Sequence, residues 1–326
     1  MEGRRMKAKR VLFTLLCGVL AAAPARAQKT VRVGVATSGG TTLPALVISQ
    51  QKLDEKQGLK IEWVRLDQNA VQKAFALRQF DVSFAEVASD LIRQRGRGDK
   101  VKSVYAGIMA NVYVVAKRDS PYKTFADLKG RKVGLYSLTS SSTAALVKLV
   151  RDKWQLDLRK EFELVVSPPP VLAGLLQKGD IEAMVNVDPL VLRVLHSGPY
   201  RQIMDLDQEW QQLTGARLLV TTIAAWDDYA RKNPDELRRL IAVYREAVSY
   251  IEKNPQVYVS TGFIKDAGLP ETPEMVKLFD ERFSKLYTGK WDQSLINANK
   301  PVFQVAIEMG NLESISDDWY TFEYAN

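Results

Sequence analysis

A cluster of hydroxyl side chains stands directly before an apolar stretch with helical periodicity at residues 144–153. Hydroxyls and free N–H groups at a helix N-terminus, with the positive end of the helix dipole, suit an oxyanion such as a sulfonate or a carboxylate. A plain helix N-cap, which needs only one of these hydroxyls, is the alternative interpretation. We predict ligand contact for the whole cluster: Ser137, Thr139, Ser140, Ser141, Ser142 and Thr143.

A similar turn, rich in hydroxyls and glycine, lies about 100 residues earlier in the chain. Its two glycines would let the backbone approach a ligand closely. A flexible loop without a ligand is the alternative. The predicted ligand-binding residues of this turn are Thr37, Ser38, Gly39, Gly40, Thr41 and Thr42.

Two carboxylates, Glu86 and Asp188, follow short apolar segments that are typical of strands. In doubly wound sheets the loops after the strands face the ligand crevice. Carboxylates there would repel a bare anion, but they would pair with an amine or accept a hydrogen bond from an amide or pyrimidine N–H. The alternatives are a solvated Glu86 and an Asp188 that fixes the turn before Pro189. If both face the crevice, a ligand with an amino group is favoured over a simple alkanesulfonate.

Aromatic and amide side chains complete the set of candidates. Tyr113 and Tyr136 could cover the apolar body of a ligand, although a core position is the more ordinary role. Asn186 is a candidate polar contact. His196, the single histidine, is interpreted as a partner of a helix C-terminus.

Motifs for catalysis, metals and nucleotides are missing from the sequence. It contains no G-x-S-x-G, no H-E-x-x-H and no G-x-G-x-x-G, and its only cysteine, Cys17, lies in an N-terminal apolar segment. We therefore predict no catalytic residue, no metal and no cofactor. An enzyme that uses only the carboxylates Glu86 and Asp188 is the competing hypothesis.

The elements that must position these residues occur twice. The first half contains Val33-Gly34, Thr41-Thr42 and Ala45-Leu46-Val47, and the second contains Val133-Gly134, Ser141-Ser142 and Ala145-Leu146-Val147. Alternating strand and helix patterns predict a mostly parallel, doubly wound sheet in each half, with a cleft between the halves. After Trp226 the pattern is helical, at 235–253, 272–287 and 300–309.

The N-terminal residues are typical of a signal peptide. Basic residues precede the apolar segment 11–23, and Ala25-Arg26-Ala27 resembles a cleavage site. Cleavage after residue 27 would leave 40 basic and 37 acidic residues, so most of the net charge of +8 belongs to the signal. Binding to nucleic acid is therefore not expected. The mature chain is expected in the periplasm.

The segment from Lys117 to Val133 reads Lys-Arg-Asp-Ser-Pro-Tyr-Lys-Thr-Phe-Ala-Asp-Leu-Lys-Gly-Arg-Lys-Val. It resembles the segment that opens the second lobe in ABC-transporter periplasmic substrate-binding proteins of the aliphatic sulfonate, taurine and nitrate group, to which pyrimidine-precursor binding proteins are related. Phe80-Asp81-Val82 and Asp188-Pro189 add to the resemblance. The turn 138–142 lacks a glycine that many relatives have, and Glu86 replaces a small residue that is frequent there.

The resemblance implies an α/β fold with two doubly wound lobes, two crossing strands and C-terminal helices. We expect lobe one at residues 28–114 and 222–326 and lobe two at 115–221, with crossings near 113–117 and 220–224. The resemblance also implies a monomer that captures an aliphatic sulfonate or a taurine-like anion between the lobes and delivers it to a membrane permease. The alternatives are a pyrimidine, thiamine-precursor or nitrate-like solute, and presentation of the solute to a membrane sensor.

Overall fold

The computed structural model describes residues 29–325, and its strands form two separate five-stranded sheets. The first sheet contains β1 (Lys29–Ala36), β2 (Leu59–Leu66), β3 (Val82–Val87), β4 (Val101–Ala106) and β10 (Thr221–Trp226), in the order β2-β1-β3-β10-β4. The second contains β5 (Val112–Lys117), β6 (Lys132–Leu135), β7 (Glu163–Val166), β8 (Ala183–Val187) and β9 (Tyr200–Asp205), in the order β7-β6-β8-β5-β9.

The two sheets share one topology. In the first, β1 runs parallel to β2 and β3, while β10 is antiparallel to β3 and β4. In the second, β6 runs parallel to β7 and β8, while β5 is antiparallel to β8 and β9. The sequence prediction of two mostly parallel α/β lobes is therefore confirmed, with one antiparallel strand in each sheet.

Fourteen α-helices lie in the part of the chain from residue 29 to 325. Those of the first half are α1 (Thr42–Gln51), α2 (Leu53–Lys56), α3 (Gln68–Ala76) and α4 (Ala88–Gly96). The second lobe has α5 (Ser141–Trp154), α6 (Pro169–Lys178), α7 (Leu190–Ser197) and α8 (Leu206–Thr214). The C-terminal helices are α9 (Asp227–Lys232), α10 (Pro234–Lys253), α11 (Val257–Ser260), α12 (Phe263–Asp266), α13 (Pro273–Phe283) and α14 (Gln293–Glu308).

Two short segments connect the lobes, one between β4 and β5 and the other between α8 and β10. They lie side by side, because Met109 pairs with Leu219 and the Gly107 N–H donates to the Thr221 carbonyl over 2.9 Å. The expected crossings at 113–117 and 220–224 lie instead mostly inside β5 and β10. The apolar runs belong to buried sheet strands, and the polypeptide crosses just before each of them. The lobe limits given above stay a prediction.

The C-terminal helices contact both lobes. α10 packs on α1, and α14 packs on α5 of the second lobe. α14 begins at Gln293, two turns before the predicted start, because the Asp292 carboxylate accepts from the Leu295 N–H over 3.0 Å and Pro301 is accommodated inside the helix. Proline in a helix interior removes one intrahelical bond, which is why the sequence alone indicated a later start.

None of the helices within residues 29–325 is both long and apolar enough to cross a membrane. The predicted signal peptide, including Cys17, lies outside these described residues.

The repeated glycines Gly34 and Gly134 occupy equivalent positions on β1 and β6. A Cβ on Gly34 would lie 2.2 Å from ring atoms of Phe80, and one on Gly134 would lie 2.6 Å from Ile181 Cδ1. In each lobe, a side chain two residues before the neighbouring parallel strand, β3 or β8, therefore packs directly over the glycine. The repeat thus includes a packing requirement as well as a sequence pattern.

Substituting Gly34 by alanine should destabilise the protein, because the added methyl group must displace the Phe80 ring. Overpacking of this kind costs about 1–3 kcal/mol of unfolding free energy, which urea denaturation would measure. Gly174→Ala is the matched control, since nothing lies within 4 Å of its Cβ and it stands inside helix α6. This control should be neutral or slightly stabilising. Equal stability of the two variants would contradict the packing argument.

Candidate functional site

The N-termini of α4 and α5 meet across the space between the lobes. The Ser141 hydroxyl in the first turn of α5 donates to the Ser89 hydroxyl in the first turn of α4, with 3.2 Å between the two oxygens. Both serines are buried. The first N–H groups of any helix have no acceptor inside the helix. The contact therefore brings two helix ends with positive dipoles together at a buried, polar interface.

Most of the predicted hydroxyl cluster serves to cap α5. The Ser140 hydroxyl accepts from the Thr143 N–H over 3.1 Å and also donates to the Thr143 hydroxyl over 3.1 Å. Thr143 donates in turn to the Ser137 carbonyl, and the Ser137 hydroxyl accepts from the Thr139 N–H. The side chains of these four residues thus have partners within their own turn, as an N-cap requires.

Ser142 differs from its neighbours in the cluster. It is 2% exposed, and its hydroxyl makes no well-formed hydrogen bond within residues 29–325, although the hydroxyl of Tyr136 lies nearby. Burial raises the pKa of Tyr136, and the Ser142 and Ser140 hydroxyls oppose that rise. Of the predicted cluster, Ser141 is thus the member that contacts the other lobe, and Ser142 is the member whose buried hydroxyl is left without a well-formed hydrogen bond. Ligand contact by the cluster stays a prediction.

The turn of the first lobe is held by its own backbone and by the C-terminal region. The Thr42 hydroxyl donates to the Ala36 carbonyl over 2.8 Å, and the Tyr287 hydroxyl donates to the Gly40 carbonyl over 2.7 Å. A Cβ on Gly40 would lie 2.3 Å from Leu286 Cδ2, so a larger residue here would have to displace the end of the Leu286 side chain. The other predicted members are Thr37 and Ser38, which are exposed, Gly39, which is half-buried with φ +85°, and Thr41, which is buried. Ligand contact by these residues stays a prediction.

Glu86 lies at the end of β3, opposite Thr222 of β10, and its side chain is completely buried. Within residues 29–325 neither carboxyl oxygen has a well-formed hydrogen bond, although the Ser83 hydroxyl lies close enough to affect the carboxyl group. Burial raises the pKa of Glu86 to about 8; the Ser83 hydroxyl lowers it, and the charge of Asp90 raises it further. The alternative of a solvated Glu86 is therefore wrong, because water does not reach the carboxyl group.

Asp188 is also buried, but it has a cation. Its carboxylate accepts from the Arg282 guanidinium over 3.0 Å and from the Leu192 N–H over 3.3 Å. Burial raises the pKa of Asp188 to about 6, and the charge of Arg282 works against that rise. The Asn111 amide and the Asp188 carbonyl are also hydrogen-bonded, over 3.2 Å. Asp188 is thus already neutralised by Arg282, which leaves Glu86 as the carboxylate of the predicted pair without a partner.

Arg282 is a residue of α13 that sequence reasoning missed. Besides Asp188 it donates to Gln202 of β9 over 2.8 Å, and its guanidinium carbon lies 4.2 Å from the centre of the Tyr113 ring. Its partners are separated from it by 80 residues or more, so no local pattern could have revealed the contact. Tyr113 and Arg282 line an open polar groove of about 830 Å³ beside the crossing segments.

Asn186, the remaining predicted residue, has a structural role. Its side-chain nitrogen donates to the Pro169 carbonyl over 2.9 Å at the start of α6, and its oxygen accepts from the Val187 N–H over 2.9 Å. Because both ends of the amide are engaged, ligand contact would require Asn186 to give up one of these bonds. Ser89, by contrast, was not predicted, although it follows β3 by two residues, where hydroxyls at a helix start could have identified it.

Metal binding has no visible basis in the described part of the chain. Residues 29–325 hold no group of three or more His, Cys, Asp or Glu side chains that could surround a metal ion.

Two α/β lobes joined by short crossings, with helix N-termini meeting between them, define a bilobed solute-binding fold. The chain belongs to the family described as NMT1/THI5 like, whose match spans residues 54–257. A protein of Brucella abortus is 23% identical over 238 residues, which is 72% of each chain. Its name describes it only provisionally, as a binding protein.

Solved structures confirm the fold. The periplasmic aliphatic sulphonate binding protein SsuA of Escherichia coli superposes with a TM-score of 0.74 at 20% identity, over 89% of this chain and 95% of that chain. The alkanesulfonate-binding protein SsuA of Xanthomonas axonopodis pv. citri, solved with MOPS bound, gives 0.71 at 17%, over 92% and 100%. The nitrate-binding protein NrtA of Synechocystis gives 0.64 at 13%, over 91% and 87%. The predicted periplasmic-binding-protein fold is therefore confirmed.

Replacing Glu86 by glutamine should change how stability depends on pH. The pKa of Glu86 in the folded protein, about 8, exceeds its ordinary value of 4.5, so between these values the folded state binds more protons than the unfolded state. The unfolding free energy of the wild type should therefore fall by roughly 1.4 kcal/mol per pH unit in this window, on account of this group. The advantage of Glu86→Gln over wild type should grow as the pH rises from 4.5 to 8, as urea denaturation would measure.

The control for this comparison is Glu62→Gln, on strand β2 of the same sheet, where the side chain is 49% exposed. Its difference from wild type should stay flat over the same pH window. A flat difference for Glu86→Gln as well would show that the Glu86 carboxyl titrates normally.

Replacing Arg282 by methionine should destabilise the protein by about 3 kcal/mol, because it leaves a buried Asp188 carboxylate without its cation. Adding Asp188→Asn to that variant should recover part of the loss, as a double-mutant cycle of unfolding free energies would measure. Arg238→Met removes the cation of an exposed pair with Asp235 and should stay within about 0.5 kcal/mol of wild type. Additive effects of the two substitutions would contradict the ion pair.

Proposed function

We propose that this protein is the periplasmic solute-binding component of an ABC importer, and that it captures a small organic anion of the aliphatic sulfonate or taurine type between its lobes. The observation that carries the proposal is the Ser89–Ser141 contact, which brings helix N-termini of both lobes to one buried point. A ligand held there would touch both lobes, so that binding would favour the closed arrangement.

The chemistry of this point suits an oxyanion. The free N–H groups of the first turns of α4 and α5 and the hydroxyls of Ser141 and Ser142 are all donors. Donors that converge on a sulfonate or carboxylate form charge-assisted hydrogen bonds, which are stronger than bonds between neutral groups. Named ligands of similar structures, an aliphatic sulphonate for SsuA and nitrate for NrtA, are oxyanions too and support this choice.

The remaining parts of the proposal follow from the same role. The chain would act in the periplasm as a monomer, with the closed lobes presenting their surfaces to the transmembrane subunits of a permease. No nucleic acid and no cofactor is needed for capture. Because the relatives named above are binding proteins, we propose that this protein binds its solute without converting it.

A thermal-shift screen with alkanesulfonates, taurine, nitrate, carboxylates and pyrimidines tests the ligand class. At a ligand concentration near 100 times Kd, binding adds roughly 2.7 kcal/mol to the unfolding free energy, which gives a readily measured rise in Tm. Stabilisation only by uncharged or purely cationic compounds would exclude the oxyanion site. Chemical conversion of a bound solute that Glu86→Gln abolishes would favour the competing enzyme hypothesis instead.

Substituting Ser142 by alanine should weaken binding of whichever sulfonate or carboxylate raises Tm most. The loss of one hydrogen bond to a charged group costs about 1.5–3 kcal/mol, so Kd should rise roughly ten-fold or more in calorimetric titrations. Thr139→Ala is the matched control, because Thr139 is an exposed hydroxyl residue of the same turn. Equal affinity of the two variants would exclude Ser142 from the site.

A further inference from the structure

The chain passes between the lobes once more after helix α14. α14 packs on α5 of the second lobe. The short 3-10 helix Asp317–Trp319, which comes next, packs on β4 of the first lobe, where the Thr321 N–H donates to the Ser103 carbonyl over 2.9 Å. The residues between these two helices therefore span the two lobes.

The end of α14 fixes the backbone of Asn311 within this span. Gly310 has a φ of +74°, and its N–H donates to the Ile307 carbonyl over 2.8 Å. The Asn311 N–H donates to the Ala306 carbonyl, also over 2.8 Å. These two bonds form a Schellman motif, in which a glycine with left-handed φ ends the helix. Asn311 is thus anchored to α14 through its N–H, while its carbonyl and its side chain can bond elsewhere.

Asn311 connects a residue of the first lobe with one of the second. The Arg93 guanidinium of α4 donates to the Asn311 carbonyl through Nε and Nη2, over 3.3 and 3.2 Å. The side-chain nitrogen of Asn311 donates in turn to the Leu138 carbonyl, in the turn before α5, over 3.2 Å. We call these bonds, from Arg93 through Asn311 to Leu138, the Asn311 bridge.

The Asn311 bridge lies beside the Ser89–Ser141 contact. Arg93 follows Ser89 by four residues on α4, so both side chains project from the same face of that helix. Leu138 precedes Ser141 by three residues, so their Cα atoms are at most about 11 Å apart. Both serines are buried, whereas Leu138 is 36% exposed. The bridge is therefore a second interlobe connection, nearer to solvent than the first.

Separation of the lobes must break the Asn311 bridge. If the C-terminal segment stays with α5, the bonds from Arg93 to the Asn311 carbonyl are lost. If it stays with the first lobe, the bond from Asn311 to the Leu138 carbonyl is lost. In either case the closed arrangement has at least one hydrogen bond that the open arrangement lacks, independently of any contact with a ligand.

We propose that Asn311 is a positioning residue for solute binding: its side chain fastens the turn before α5 to the first lobe and thereby stabilises the closed arrangement. This inference rests on the proposed function, since closure serves a protein that encloses a solute. A receptor whose binding-competent form is more populated binds every solute more tightly by the same factor. Asn311 should therefore set affinity without choosing between ligands.

Asn311→Ala cuts the bridge at a single bond. Alanine keeps the N–H that ends α14 and the carbonyl that accepts from Arg93, so only the bond to Leu138 is lost. One neutral hydrogen bond changes an equilibrium constant about two- to ten-fold. Asn297→Ala is the matched control, because Asn297 is exposed on α14 and its side chain accepts from Gln293 of the same helix over 3.0 Å.

The distance between the lobes in the ligand-free protein is the first readout. Residues 29–325 contain no cysteine, so spin labels can be attached at Leu77→Cys in the first lobe and Val171→Cys in the second, where the native side chains are 72% and 49% exposed. In double electron–electron resonance, Asn311→Ala should raise the ratio of long to short distances about two- to ten-fold. Asn297→Ala should match the wild type. A distribution that Asn311→Ala leaves unchanged overturns the inference.

Ethanesulfonate and nitrate, two oxyanions of different size, provide the second readout in calorimetric titrations. Asn311→Ala should raise the Kd of both by one common factor, about two- to ten-fold, mainly through faster dissociation. A change in the ratio of the two Kd values would show that Asn311 selects between ligands, which overturns the positioning role.

The two readouts distinguish failure of this inference from failure of the proposed function. If neither oxyanion binds the wild type, the oxyanion-binding function fails, and the interlobe distances still decide whether the bridge stabilises closure. If both bind the wild type and Asn311→Ala equally well, with unchanged distances, the inference fails and the proposed function stands.

Discussion

The direction of the central strands is the constraint on which the rest of this molecule depends. In each sheet three parallel strands end at the same edge: β1, β2 and β3 in the first sheet, and β6, β7 and β8 in the second. The helices that follow these strands therefore begin at that edge. The crossings are too short to carry one sheet far from the other. Helix N-termini of the two lobes therefore face each other, and their free N–H groups and hydroxyls accumulate at one place. The Ser89–Ser141 contact is the direct result.

The two buried carboxylates at strand ends, Glu86 and Asp188, have different surroundings. Asp188 receives Arg282 from α13, a helix from the far end of the chain, and the pair is completed by Gln202 and the Tyr113 ring. Glu86 receives nothing comparable. Burial disfavours an unpaired charge far more than a paired one. The Asp188 carboxylate can therefore stay ionised beside Arg282, whereas the Glu86 carboxyl group remains buried without an ion-pair partner.

The C-terminal region determines how the lobes can separate. Arg282 ties α13 to the second lobe, α14 packs on α5, and Arg151 of α5 forms an exposed ion pair with Glu308 of α14. The same region holds the first lobe through the bond from Tyr287 to the Gly40 carbonyl. Opening of the cleft must therefore either break some of these contacts or carry the C-terminal helices along with one lobe.

Local patterns in the sequence determined the class of fold, because strand alternation, helix periodicity and the repeated Val-Gly and hydroxyl pairs depend on near neighbours in the chain. They also indicated Ser141, Ser142 and Glu86 as residues at strand ends and helix starts. Only the tertiary structure decided which of these groups have partners. Ser140 and Thr143 satisfy each other, Asn186 holds α6, and Asp188 meets Arg282 over a separation of 94 residues. Long-range pairing of this kind leaves no local signal, because it depends on where distant helices pack and not on the residues beside each group.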